Sequence, residues 1–294
     1  MEQGVHDNGI AGAHALPEAT ERAGLRGKTV VVKYGGAAMD LAEAKDALAA
    51  DAAALRAAGV NLVIVHGGGN DITDLAARLG IETEFVEGHR VTSAAMLDVA
   101  TMVLAGRINK DLVLRLAKQG GRAIGLSGLD NNLITARRRA SGPDLGQVGE
   151  VAGVNAGFLR MLLSAGLLPV LAPLGIGEDG TAYNINADLA AGAVAAALDA
   201  SVLLYMSNVD GVMANGVKLD ALSESRALGM IAAKTIAGGM IPKVEAALHA
   251  AKAGARSVRI VDGSQPHALA AALANPESGT TILREQQAPV YQES

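Results

Sequence analysis

Val30-Val31-Val32-Lys33-Tyr34-Gly35-Gly36 decides the reading of this chain. Three β-branched residues in succession predict a strand buried on both faces, as parallel strands usually read. The lysine that ends the run and the glycines behind it set a cation and unobstructed backbone N–H groups at the strand's carboxyl end. The device recurs twice. Leu62-Val63-Ile64-Val65 runs into His66-Gly67-Gly68-Gly69, and Gly238-Gly239-Met240-Ile241-Pro242-Lys243 opens what reads as a helix. Three such places point to the handling of phosphate, with Lys33, Lys243 and backbone donors at Gly36, Gly67 and Gly68 as the groups that meet it.

Outward from that strand, apolar runs alternate with Ala-rich helical stretches. Strands are expected over Lys28–Tyr34, Asn61–His66, Arg122–Leu126, Leu168–Ala172, Ser201–Met206 and Ser257–Val261. Helices are expected over Leu41–Ala58, Asn70–Leu79, Ser93–Gln119, Asn155–Ala165, Asn186–Leu198, Pro242–Ala253 and His267–Leu273, with short strands at Leu133–Arg138 and Gln147–Val154. This alternation predicts an α/β fold with a mainly parallel sheet covered on both faces. Ligands in such folds sit at the carboxyl ends of strands, where the glycine clusters lie. The expected seam is near Leu174, which divides residues 28–174 from 175–294. Residues 1–27 form an arm with a short helix around Pro17–Gly24.

The 294 residues are half hydrophobic, enough for one large or two modest domains. Aromatics are only 2% with no Trp, so the core falls to Ala, Val, Leu and Ile. A net charge of −5 argues against nucleic acid as a partner. Zero cysteines exclude disulfides, thiolate metal sites and cysteine nucleophiles, and fit a cytoplasmic protein. No apolar run reaches membrane-spanning length, and Met1–Ala15, with Glu2 and Asp7, is not a secretory signal. His6, His14, His89, His249 and His267 lack metal-ligand spacing, so no metal site is expected on protein side chains.

Some motifs mislead. Gly175-Ile176-Gly177-Glu178-Asp179-Gly180 matches G-x-G-x-x-G, but no helix opens there and its two carboxylates would repel a pyrophosphate. A polar hairpin turn is the better reading. Arg26-Gly27-Lys28-Thr29 precedes a strand instead of following one, so it is not a phosphate loop. Arg137-Arg138-Arg139 reads as a solvated strand end or a docking site for an acidic partner.

Phosphoryl transfer needs charge neutralisation and alignment more than covalent help. A carboxylate acceptor is already ionised at neutral pH, having a pKa of about 4, so it needs no catalytic base. Cations to lower repulsion are what it needs. In Tyr183-Asn184-Ile185-Asn186-Ala187-Asp188, Asn186 caps the next helix. Asp188 then either complements the helix dipole or holds both lysines, and Asn184 can reach a substrate carboxylate. Arg90 in Gly88-His89-Arg90-Val91-Thr92 is either a surface ion-pair partner or a bidentate carboxylate receptor.

Together with Asn109-Lys110, Gly125-Leu126-Ser127-Gly128, Val261-Asp262-Gly263 with His267, and Gly279-Thr280-Thr281-Ile282, these strings resemble the amino-acid kinase family, in order from about Lys28 to Ile282. Gly88–Thr92 and Tyr183–Asp188 resemble its branch acting on N-acetylglutamate. The resemblance implies an open αβα sandwich, with the N-terminal lobe taking N-acetylglutamate and dimerising, and the C-terminal lobe taking ATP. It implies ATP-dependent phosphorylation of the substrate's side-chain carboxylate in arginine biosynthesis, with Mg²⁺ travelling on the nucleotide. Lys33 and Lys243 would stabilise the migrating group, with Asp188 organising them. Gly67, Gly68, Arg90 and Asn184 would bind substrate, and Gly35, Gly36, Ser207 and Asn208 the ATP phosphates. The arm implies a homodimer at least, extendable to a hexamer with arginine as effector. Asn70, Leu129, Ser207-Asn208 and Arg259 depart from the usual family residues. Leu129-Asp130 and Ser207-Asn208 look like a sister branch acting on carrier-protein-bound aminoadipate or glutamate, which is the alternative substrate class. A catalytically silent regulator of the same fold is the third reading, disfavoured by the intact lysines.

Overall fold

The structure is a computed structural model that describes residues 24–86, 89–139 and 142–284. The expected helix at 17–24 lies outside them apart from its last residue. The central sheet is built from β1 (Thr29–Tyr34), β2 (Asn61–His66), β3 (Ala123–Ser127), β4 (Leu168–Ala172), β5 (Val202–Ser207), β6 (Ala221–Ser223), β7 (Val258–Asp262) and β8 (Thr280–Leu283). Their order across the sheet is β6-β8-β7-β5-β1-β2-β4-β3. Only the β7–β8 pairing is antiparallel.

The apolar runs explain this arrangement. Every residue of β1 after Thr29 is buried, and β2 repeats the pattern after Asn61. Side chains alternate across a strand, so Val30, Val32, Leu62 and Ile64 enter one hydrophobic cluster while Val31, Val63 and Val65 enter a second on the opposite face. Helices α1 (Ala42–Ala57), α2 (Gly69–Arg78), α3 (Ala94–Thr101), α4 (Asn109–Lys118), α5 (Ala156–Ser164), α6 (Ala187–Ala197), α7 (Glu224–Ala232), α8 (Met240–Ala253) and α9 (Ala268–Ala274) cover the two faces. The expected continuous helix over 93–119 is interrupted by a π-helical turn, Met102–Ile108, between α3 and α4. Strand β1 lies between β5 and β2, with Lys33 beside Tyr205 on one side and Val65 on the other. The connections that follow β1 and its neighbour β5 run in opposite directions along the sheet, to β2 and to β6, so their adjacent carboxyl ends form a topological switch point where a crevice forms.

The short strands expected at 133–138 and 147–154 are present as Ile134–Arg138 and Val148–Val154. With Leu174–Ile176 and Ala182–Ile185 they close into a small barrel. Gly175 to Gly180 leads into the hairpin between its last two strands, as its chemistry implied. The expected seam at 174 falls within the strand Leu174–Ile176. Strands β6 and β8, the Met213–Lys218 hairpin and helix α7 were not legible in the sequence. Strand β6 is too short to show a period, and α7 is marked only by Ser223, whose side chain accepts from the Arg226 N–H as an N-cap.

Candidate active site

A cleft of about 260 Å³ opens at the carboxyl ends of β1 and β2, with Lys33, Gly68, Arg90, Asn184 and Asp188 among its walls. Lys33 leaves β1 only 5% exposed. Its Nζ lies 2.9 Å from Asp188 Oδ1, while Lys243 Nζ, from the first turn of α8, lies 3.9 Å from Asp188 Oδ2. Asp188 sits in the first turn of α6 with its two oxygens toward the two ammonium groups. Burial and the Lys33 charge hold the Lys243 ammonium below the ordinary lysine value, and Asp188 opposes them. Asn186 caps α6 as expected, accepting from the N–H groups of Asp188 at 2.8 Å and Leu189 at 3.2 Å.

Glycines set the floor of the cleft. A Cβ at Gly35 would stand 2.7 Å from Lys33 Nζ, so only glycine lets that side chain fold back over the turn. The Gly67 N–H donates to Tyr34 O at 2.8 Å, one further rung of the β1–β2 ladder. It is therefore not the free oxyanion donor that its position in the glycine run suggested. Gly68 stands at the start of α2, a helix with no side-chain cap. A Cβ at Gly68 would run into Ile108 and Leu104.

Arg90 is buried, and its guanidinium lies 4.7 Å from the Phe85 ring centroid. Nη2 donates to Gly69 O and to Thr73 Oγ1, each at 2.8 Å. Nη1 is buried with no partner. A buried cation with one arm anchored and the other left unpaired beside a cleft can serve as a carboxylate receptor. Burial holds this guanidinium below its ordinary value. Asn184 Nδ2 donates to Thr92 Oγ1 at 3.3 Å, which fixes the amide at the cleft wall. Ser207 and Asn208 stand apart from that wall, at the end of β5, where the Ser207 hydroxyl engages the Val209 backbone.

The sequence reading treated His66 only as a neighbour of glycines. It is 0% exposed, and burial pushes its pKa down to about 4, with a smaller lowering from Lys110 opposed by its bond to Gly67. A polar residue closing an apolar run beside a glycine cluster was the available signal. His267 lies elsewhere, with Nδ1 2.7 Å from the buried Asp51. Arg137 pairs with Glu150 and Arg138 with Asp144 in solvent, which fits a solvated strand end. Among the described residues no group of three or more His, Asp or Glu side chains could cage a metal ion, and no helix is long and apolar enough to cross a membrane.

The geometry agrees with what the chain is similar to. A family model described as the amino acid kinase family matches residues 28–262. An acetylglutamate kinase of Pseudothermotoga lettingae is 46% identical over 261 residues, covering 89% of this chain and 93% of that relative. An acetylglutamate kinase of Hahella chejuensis is 45% identical over 272 residues, covering 88% and 90%. The structure of N-acetylglutamate synthase from Neisseria gonorrhoeae, complexed with coenzyme A and N-acetyl-glutamate, superposes with a TM-score of 0.81 at 27% identity. That match covers 96% of this chain but 65% of the synthase. With a family model spanning most of its length and relatives near half-identical over nearly all of it, the chain belongs to the amino acid kinase family.

Proposed function

We propose that the chain transfers the γ-phosphoryl group of ATP to the side-chain carboxylate of N-acetyl-L-glutamate, forming N-acetyl-L-glutamyl 5-phosphate in arginine biosynthesis. The observation that carries this reading is the meeting of Lys33 and Lys243 on Asp188 at one end of the cleft. Two ammonium groups and one carboxylate leave a net positive charge facing the place where an anionic nucleophile meets an anionic phosphate. Arg90 Nη1 and Asn184 hold the substrate's α-carboxylate, and Gly68 N–H with the Gly36 turn meets the transferring oxygens. A carboxylate oxygen bonds to the γ-phosphorus as the bond from phosphorus to the β–γ bridging oxygen breaks, and that electron pair leaves on ADP. No proton moves, which accounts for a site without a general base. Losing one preorganised donor in such a site costs about 3 kcal/mol of transition-state stabilisation.

Mg²⁺ arrives with the nucleotide in this reading and shields its phosphates. The donor set fits that division, since Asp188 is committed to the two lysines. Gly35 serves here by freeing the path of Lys33, and Ser207 and Asn208, at the end of the strand next to β1, extend toward the nucleotide. A cytoplasmic setting completes the reading and suits a cysteine-free chain. So does a homodimer at least: β3 is the edge strand of the sheet, and Leu114 on α4, which packs against β3, is exposed. Residues 1–27 would extend the dimer to a hexamer, with arginine as effector.

The test is hydroxamate trapping with N-acetylglutamate and MgATP. Formation of an acyl phosphate is expected. Its absence, with ATP intact, sinks the assignment.

A further inference from the structure

We infer that His66 is a positioning residue whose Nδ1–H holds the Gly67 carbonyl, so that the Gly68 N–H faces the cleft, and that Asn109 sets the tautomer this requires. The inference rests on the proposed phosphoryl transfer for its consequence, but its geometry stands without it.

Both ring nitrogens of His66 are engaged. Nδ1 lies 2.9 Å from Gly67 O and Nε2 lies 3.2 Å from Asn109 Nδ2. A carbonyl oxygen only accepts, so Nδ1 carries the proton, and the bare Nε2 faces an amide nitrogen that only donates and shares its two hydrogens among three acceptors. The orientation of the Asn109 amide is itself fixed. Its Nδ2 faces two carbonyls, Val170 O at 2.9 Å and Leu126 O at 3.2 Å, while its Oδ1 accepts from Lys110 Nζ at 3.1 Å. A flipped amide would set oxygen against two carbonyl oxygens and lose the lysine. Burial keeps the ring from taking a second proton near neutrality.

The consequence follows from peptide planarity. In a trans peptide the C=O and the following N–H point in opposite directions. With Gly67 O drawn toward His66 in the core, the Gly68 N–H is driven away from it, to the side on which Gly67, Gly68 and Gly69 line the cleft. The Gly67 N–H is already fixed by Tyr34 O at 2.8 Å. The turn is therefore held at two successive peptides, and a chain of four donors runs from Lys110 at the surface to the cleft floor. Glycines at this turn have no side chain to restrain them, and this relay supplies the missing rigidity.

The test uses the full chain in three arms. With ¹⁵N-labelled histidine, NMR of the unliganded protein should show His66 protonated at Nδ1 and bare at Nε2. The opposite tautomer overturns the inference whether or not the protein is a kinase. In kinetics, His66→Leu should lower kcat roughly ten- to a hundred-fold, less than outright deletion of a donor, with KM for N-acetylglutamate little changed. His66→Asn puts an amide donor near the position of Nδ1 and should recover most of that loss. A packing role predicts the reverse order, since Leu fills the apolar space and Asn does not. Equal losses in the two variants, or a better Leu variant, also overturn it. Asn109→Leu removes one of the two partners that favour Nδ1–H and should raise the minor Nε2–H tautomer in the spectrum, and an unchanged spectrum removes Asn109 from the relay. Wild-type protein that makes no acyl phosphate refutes the proposed function, while the NMR arm still judges His66.

Discussion

Acidification should destabilise this protein through one buried ring. His66 has a pKa of about 4 in the folded chain against 6.5 when unfolded. The unfolded state binds its proton first, so the stability due to the neutral ring is fully present above pH 6.5 and is lost as pH falls toward 4. Each pKa unit is worth about 1.36 kcal/mol, so the full window amounts to about 3 kcal/mol, most of which is gone by pH 4.5. Other groups titrate nearby. Asp51 has its pKa raised by burial, opposed by the His267 bond, so it acts in the opposite sense, gaining stability as it protonates. Asp111, net lowered by Arg115 and Lys45 despite partial burial, loses stability on acidification. Both are common to wild type and to His66→Leu, and the difference between them isolates the ring. Urea unfolding followed by circular dichroism at pH 7 and pH 4.5 gives that difference. Wild type should lose roughly 2 to 3 kcal/mol more than His66→Leu over this interval. Equal losses would mean that His66 titrates alike in both states, and the reasoning from its burial would fail.

Lys33→Ala and Lys243→Ala should each depress kcat with little change in apparent substrate affinity, and steady-state kinetics showing a loss confined to KM would contradict their placement at the migrating group. Arg90→Lys keeps a charge but cannot hold Gly69 O and Thr73 Oγ1 while offering a second arm, so KM for N-acetylglutamate should rise roughly ten- to a hundred-fold. An unchanged KM removes Arg90 from the receptor. Asp188→Asn leaves the buried Lys33 ammonium and the partly buried Lys243 ammonium unneutralised and should cost about 3 kcal/mol in urea unfolding. It should also move the alkaline limb of the kcat profile to lower pH, because Asp188 is the influence that raises the Lys243 pKa. A limb that stays in place would refute the coupling.

Much of this architecture could be read from local pattern. Buried parallel strands carry unbroken apolar runs, and Val30–Val32 and Leu62–Val65 are such runs. The Asn186 cap was legible because a cap and the amides it accepts from lie within three residues. The reach from Lys33 to Asp188 was not a local matter: the Tyr183–Asp188 string offered it as one of two readings, and the family resemblance implied it. Distance in sequence hid the rest. His66 and Asn109 meet across 43 positions, and nothing near either residue announces the other. The Gly67 amide looked free because a glycine run shows where backbone is accessible, not which rungs of a ladder already use it. Closure of the small barrel needs, beside the two strands that were legible, Leu174–Ile176 and Ala182–Ile185, which are too short to register a period.

The π-helical turn at Met102–Ile108 makes residue count a design variable in this molecule. Such a turn accommodates one extra residue within an otherwise α-helical path, and each residue of an α-helix advances the direction of side chains by about 100°. Excising a single residue there would let the segment relax into regular helix with the residues after it facing as they do now, whereas excising a second would swing everything after it around the axis. Asn109, the first residue of α4, would then point its amide away from the histidine it serves, although no residue in the cleft had been altered. Tolerance to substitution and tolerance to deletion should therefore part company along this stretch, with the spacing more tightly constrained than the identities of its exposed side chains.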